Sequence, residues 1–219
     1  MLAEPAAQPM SVEPAAQPMA VELDASTANV PDADGRRPLH HAALAGDTDL
    51  LARILKLGAV VAAVDESGWS ALHSAASAGH EAACAVLLNA SAPPDARTEA
   101  GTTALHHAAG KGHLGVVQVL LRAGADPAIR TKAGDTALHR AAGTNRVAVM
   151  HELLAKLPRS AVDTQDKQGN TAMHVAAMEQ HEDACMALAE AGASIKVKNI
   201  DEETVVDMLP ERLLQRLGS

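Results

Sequence analysis

The feature that most constrains this chain is an internal repeat. Residues 68–80 read Gly-Trp-Ser-Ala-Leu-His-Ser-Ala-Ala-Ser-Ala-Gly-His, and the same pattern returns in register at Gly35-Arg-Arg-Pro-Leu-His-His-Ala-Ala, Gly101-Thr-Thr-Ala-Leu-His-His-Ala-Ala, Gly134-Asp-Thr-Ala-Leu-His-Arg-Ala-Ala and Gly169-Asn-Thr-Ala-Met-His-Val-Ala-Ala. The leading glycines stand 33 residues apart three times and then 35. A unit of that length cannot bury its own apolar face. It must stack on a neighbour, so the chain has to fold as a row rather than around one centre.

Each unit predicts turn, helix, tight loop, helix. Thr103, Thr136 and Thr171, with Ser70 in the same place, precede the first helix and can cap its free amides. The histidine three residues on, such as His106 or His139, can bond back to that turn and across to the neighbouring unit. Ala75-Ala76 and its equivalents keep this helix slim. Gly46, Gly79 and Gly112 end it where a left-handed residue is wanted. The second helices carry Ile54-Leu55, Leu87-Leu88, Leu120-Leu121 and Leu153-Leu154, closed by Gly58, Gly124 and Gly192. A 33-residue period around a T-P-L-H-x-A core resembles the ankyrin repeat. The expected fold is an all-α ankyrin-repeat solenoid with five recognisable repeats in residues 32–219.

Two departures mark the C-terminal half. Residues 156–163 hold two extra residues, expected to bulge at the turn. In the last unit Thr204-Val-Val-Asp-Met-Leu replaces the core motif, and Pro210 with an amphipathic stretch at 211–217 reads as a degenerate C-terminal cap. At the other end, residues 4–12 and 13–21 are a tandem Glu-Pro-Ala-Ala-Gln-Pro-Met duplication with Pro at 5, 9, 14 and 18. So many prolines block a helix and the segment has little bulky apolar surface. Residues 1–31 are therefore expected to be a disordered Pro/Ala-rich tail, leaving repeat one with a bare, fraying edge.

Charge and composition exclude several functions. The net charge is −9, of which residues 1–34 supply −6 through Glu4, Glu13, Glu22, Asp24, Asp32 and Asp34. The repeats are thus only mildly acidic, with no basic stripe for phosphates and, in a chain without Phe or Tyr, no aromatic row for stacking bases. Nucleic-acid binding is not expected. No apolar run approaches a membrane span and no signal or transit pattern opens the chain, so a soluble, intracellular protein is expected. Cys84 and Cys185 occupy the same helix position three repeats apart, roughly 25–30 Å at 8–10 Å per layer, too far for a disulfide.

Chemistry is not expected either. One histidine in each of the doublets His40-His41 and His106-His107 is the structural one, and neighbours on a helix diverge by about 100°. No ligand spacing suits zinc. No nucleophile has a base beside it, and no phosphate loop occurs. The sequence reads as a non-catalytic binding module with no metal or cofactor. Its candidate partner-facing positions flank the repeat glycines and follow the Ala-Ala pairs: Asp34, Arg36, Glu66, Ser67, Trp69, Glu99, Thr102, Gly110, Lys111, Lys132, Asp135, Thr144, Lys167, Asn170, Met178 and Glu179. Trp69, the single tryptophan, either packs on its own finger or contacts a partner.

Residues 65–79, 137–142, 169–176 and 192–195 running into 199–204 resemble the gankyrin family of proteasome regulatory-particle assembly chaperones, over about residues 32–209. The carriers are the Gly68-Trp-Ser finger, the Gly192-Ala-Ser-Ile ending and the order of the repeats. The resemblance implies a cytoplasmic and nuclear scaffold, monomeric before complex formation, whose concave face grips the C-terminal domain of a proteasomal ATPase subunit by charge complementarity. It places Asp34, Arg36, Glu66, Trp69, Lys111 and Arg140 on that face, with Lys132 and Asp135 from the finger positions beside them. Residues 175–179 keep only Glu179 of a retinoblastoma-type L-x-C-x-E motif, so retinoblastoma binding is not implied. The alternatives are a kinase-inhibitory or signalling ankyrin protein, and an adaptor using the proline-rich tail.

Overall fold

The computed structural model describes residues 23–217, and within them the chain forms two parallel layers of short helices. The inner layer holds α1 (Pro38–Ala45), α3 (Ala71–Ala78), α5 (Ala104–Lys111), α7 (Ala137–Ala142), α9 (Ala172–Met178) and α11 (Val205–Met208). The outer layer holds α2 (Thr48–Lys56), α4 (Glu81–Asn89), α6 (Leu114–Arg122), α8 (Val147–Leu154), α10 (Glu182–Glu190) and α12 (Glu211–Leu217). Each helix packs against its neighbours in its own layer, and α1 to α10 also pack in pairs within their repeats. The inner helices bury alanine pairs and the outer ones bury Ile54, Leu87, Leu120, Leu153 and Leu188. Small side chains let the inner helices approach more closely, so the stack curves toward them. Pointed fingers, the turns around residues 35, 68, 101, 134, 169 and 202, continue that concave side.

The Thr-x-x-His motif does more than cap. In each of the first five repeats the histidine Nδ1 accepts from the amide of the residue before the helix, Arg37, Ser70, Thr103, Thr136 or Thr171, at 3.1–3.3 Å. Where that residue is Ser or Thr, its hydroxyl lies 2.8–2.9 Å from the same nitrogen and donates to it. The expected direct hydroxyl cap on the helix amide occurs at Thr171, whose Oγ1 accepts from the His174 amide at 3.4 Å. With Nδ1 accepting, the ring carries its proton on Nε2. That proton is donated across the repeat gap: His40 to Trp69 O at 3.0 Å, His73 to Thr102 O at 3.2 Å, His106 to Asp135 O at 3.3 Å, His139 to Asn170 O at 3.1 Å, and His174 to Glu203 O at 3.4 Å. In the last described repeat Asp207 stands in the histidine's place, and its carboxylate accepts from the Thr204 amide and hydroxyl at 2.8 and 2.7 Å.

Three further ladders run along the stack. Finger backbones bond one to the next, Glu66 N to Asp34 O, Glu99 N to Ser67 O, Lys132 N to Ala100 O, Lys167 N to Ala133 O and Ile200 N to Gln168 O, at 2.9–3.4 Å. Arg97 donates to Arg130 O, Arg130 to Gln165 O and Gln165 to Lys198 O. Asp95 and Asp163 accept from the amides of Asp126 and Ser194 in the following loops at 3.0 and 2.9 Å.

The third ladder corrects the N-terminal boundary expected at residue 31. Asn29 accepts from Val60 N at 2.8 Å just as Asp95 does from Asp126, and it donates to Gly58 O at 3.1 Å. Ala28 is fully buried, Leu23 packs against the core, and Arg37 reaches back to Asn29 O and forward to Val64 O. Residues 23–36 therefore fold as a closing loop and finger ahead of α1, and they cover the edge expected to be bare. The tandem duplication at 4–21 lies outside the described residues. The two-residue insertion forms a 3-10 turn at Arg159–Ala161, where Arg159 donates to Ala191 O at 2.8 Å.

Left-handed positions recur even where glycine does not. Ser91 (φ 66°) stands in the Gly58 and Gly124 place, Asn145 (54°) and Gln180 (58°) in the Gly79 place, and Glu202 (62°) in the finger place. The fold imposes this geometry, and glycine is only its cheapest occupant. At Gly134 (φ 92°) a Cβ would also lie 2.9 Å from the next finger's amide.

Two outcomes follow. Replacing exposed Gln180 by Gly relieves left-handed strain of about 1–2 kcal/mol at some entropic cost, so stability should rise by about 0.5–1 kcal/mol in urea unfolding; a fall would contradict the assignment. Burial lowers the pKa of His40, His73 and His139, and pushes His106 and His107 down to about 4. The unfolded chain then takes up protons first. The contribution of these rings is complete above the unfolded value of about 6.5 and is lost as pH falls below it, down to about 4 for His106. Stability should drop as pH falls from about 6.5 to 5, with a slope approaching about 1.4 kcal/mol per pH unit for each ring that stays neutral, and a flat profile would rule out a neutral ladder.

Candidate concave partner surface

The His ladder ends, in every repeat, on the carbonyl of the residue just after the finger's left-handed position. Those residues are Trp69, Thr102, Asp135, Asn170 and Glu203, so the bonds that stack the repeats also fix the fingers. Thr102 is itself buried beneath this arrangement and offers a partner little surface, unlike its expected role.

The exposed finger row is polarised. One residue before the tip's preceding position, the fingers carry Glu66 and Glu99, then Lys132 and Lys167, then Ile200, all exposed. Their amides are held by the finger ladder, so the side chains stand in register. Asp34 adds exposed negative charge at the first finger, while Arg36 is half spent on Asp65, with Nε 3.4 Å from Oδ2. Lys111 is exposed at the C-terminal end of α5.

Asp135 and Arg140, expected as two separate contacts, are brought together. Burial alone would raise the Asp135 pKa, but hydrogen bonds from Thr131 and Arg140 and the Arg140 charge hold it below the ordinary value. They line a groove of about 440 Å³ between repeats four and five, floored by Gly143 and Val175 and rimmed by Thr144, Asp166 and Glu179. The basic character of this half therefore rests on Lys111, Lys132 and Lys167 and much less on Arg140.

Trp69 takes neither of its two expected places alone. Its amide donates to Asp65 Oδ1 at 2.9 Å, and its ring lies over His107 of the next repeat, centroids 4.4 Å apart and planes tilted by 43°. His73 stands edge-on to His107 at 6.1 Å, completing a three-ring cluster between repeats two and three. Sequence reasoning set His107 aside as the other member of a doublet. Its position one residue beyond the ladder histidine, facing the finger tryptophan, was the available signal. The other doublet splits the same way: His40 is in the ladder, and His41 Nε2 meets Asp32 at 2.7 Å on the exposed side.

Among the described residues no group of three His, Cys, Asp or Glu is placed to hold a metal ion, and no helix is long and apolar enough to cross a membrane. Cys84 and Cys185 are buried and free, and burial pushes their thiols up to about 12 and about 11. They serve as core side chains of α4 and α10.

Truncating the half-buried tryptophan should therefore cost stability where truncating the lysines and glutamates does not. Trp69→Ala is expected to lose about 1–2 kcal/mol in urea unfolding, against under about 0.5 kcal/mol for Glu66→Ala, Lys111→Ala or Lys132→Ala. A lysine variant as damaging as Trp69→Ala would place that lysine in the architecture.

The ladder, the fingers and the two helical layers agree with a comparison against family models. The ankyrin repeats model (3 copies) matches residues 15–98, 39–131 and 105–199. No match was found among curated proteins. With repeats matched from residue 15 to residue 199, the chain belongs to the ankyrin-repeat family, whose members are generally non-catalytic scaffolds for protein partners.

Proposed function

We propose that this ankyrin scaffold is a cytoplasmic and nuclear chaperone for assembly of the proteasome regulatory particle, holding the C-terminal domain of one proteasomal ATPase subunit on its concave face. The observation that carries this reading is the finger row, acidic at Glu66 and Glu99 and basic at Lys132 and Lys167, beside Trp69 and Lys111. It supports a helical partner domain of opposite polarity, basic toward the N-terminal repeats and acidic toward the C-terminal ones. The resemblance of residues 65–79 and of 192–195 running into 199–204 to the gankyrin family points to a proteasomal ATPase subunit as that partner.

Magnitudes divide the labour. Exposed ion pairs contribute about 0.2–1 kcal/mol each, so the row sets register and association rate, while an aromatic anchor such as Trp69 supplies affinity. The row is also complementary to itself across a two-fold axis, Glu99 against Lys132 and Glu66 against Lys167. Four such pairs at most match the smallest entropy cost of association, about 4 kcal/mol, so they do not by themselves hold a dimer together.

Binding of the purified chain to the isolated C-terminal domains of the six proteasomal ATPases tests this. One domain should bind selectively, and the affinity should fall about tenfold or more in a Trp69→Ala, Lys111→Glu double variant and weaken as salt rises. No binding to any of the six would leave an ankyrin scaffold with a different protein partner.

A further inference from the structure

The half-buried ring of His107 on the concave face has an idle nitrogen. Its Nε2 is shielded from solvent beneath the Trp69 ring and has no hydrogen-bond partner, whereas both nitrogens of each of the five ladder rings are engaged. A buried polar atom left so costs about 1–3 kcal/mol. Such a cost is recovered if a bound state supplies the missing partner.

The surroundings specify what that partner carries. On its own helix His107 faces His106 and, one turn on, Lys111; from α3 it faces His73; from α7 it faces Arg140. The Arg140 stem packs near Gly110, on the same helix as His107, 3.5 Å from where a Cβ there would stand. From the second finger comes the uncharged Trp69. The nearest finger carboxylate, Asp65, is already held by the Ser67 and Trp69 amides and by Arg36. The charged groups acting on His107 are thus the cations Lys111 and Arg140, the latter paired with Asp135.

We infer that His107 is an anchor for a carboxylate side chain of the bound protein, uncovered when the Trp69 ring swings aside, and that it takes up one proton from solvent as the carboxylate arrives. Neutral imidazole plus a proton gives imidazolium, which donates from Nε2 to the carboxylate. Lys111 and Arg140 flank the pair. In the free chain, burial and the facing cations keep the ring neutral, and an approaching anion reverses that balance. A hydroxyl or amide would satisfy the nitrogen but leave the flanking cations unused, and a lysine or arginine would be repelled. This inference rests on the concave face being the partner surface, not on which partner is bound.

Because Trp69 is the only tryptophan, its fluorescence reports the event directly. The probe is a short alanine-based helical peptide with two glutamates four positions apart, beside its glutamine twin, titrated into the full chain at pH 8, 7 and 6. The expected result is a change in Trp69 emission with the glutamate peptide alone and an affinity that tightens by up to about tenfold per unit fall in pH. His107→Gln should still bind through Lys111 and Arg140 but with a flat pH profile, while Lys111→Ala should weaken binding and keep the slope. Failure of the glutamate peptide to bind at pH 6, equal binding of both peptides, or a slope retained in His107→Gln would each overturn it. An ATPase C-terminal domain that binds with one affinity at every pH, and equally to His107→Gln, would remove this inference and leave the scaffold reading standing.

Discussion

The fold depends on one hydrogen bond repeated five times: a neutral histidine ring, fixed at Nδ1 by its own turn, donating Nε2–H to the next finger. The histidine end of that bond is buried in all five repeats, so losing the finger carbonyl would leave a buried Nε2–H without its partner. A net hydrogen bond is worth only about 1 kcal/mol, yet an orphaned buried group costs about 1–3 kcal/mol. The ladder is thus better described as a requirement of stacking than as a bonus to it. In the last described repeat Asp207 keeps the capping half of the motif, accepting from the Thr204 amide and hydroxyl.

The same bond links architecture to function. Each ring holds the carbonyl of a residue whose side chain stands on or beside the concave face, Trp69 and Asp135 among them. Because the finger amides are tied in series, the exposed charges between those anchors inherit the register of the repeats. A partner meets a row preset by the core, so little ordering is left to be done on binding.

Most of the fold was legible because a 33-residue period leaves few alternatives. The paired aliphatics, the alanine-rich inner helices and the buried cysteines all fall where the pattern puts them. What was missed has physical reasons. Residues 23–31 read as tail because a closing loop needs only one buried alanine and one asparagine, Ala28 and Asn29, and carries no periodic signal. Ser91, Gln180 and Glu202 hide left-handed turns because tertiary packing overrides their backbone preference. At the candidate site, residue types were readable but pairings were not. Arg140 lies five residues from Asp135 and Trp69 lies 38 from His107, and only the folded stack brings either pair together.

The central claim is the protonation state of the ladder, because stacking, finger register and partner face all follow from it. Nitrogen-15 shifts and long-range couplings of the imidazole rings at neutral pH measure it directly. The account predicts that His40, His73, His106, His139 and His174 are all neutral, with the proton on Nε2 and a bare, accepting Nδ1. Rings that are charged at neutral pH, or that carry the proton on Nδ1, could not make these bonds, and the account of how the repeats are joined would be wrong.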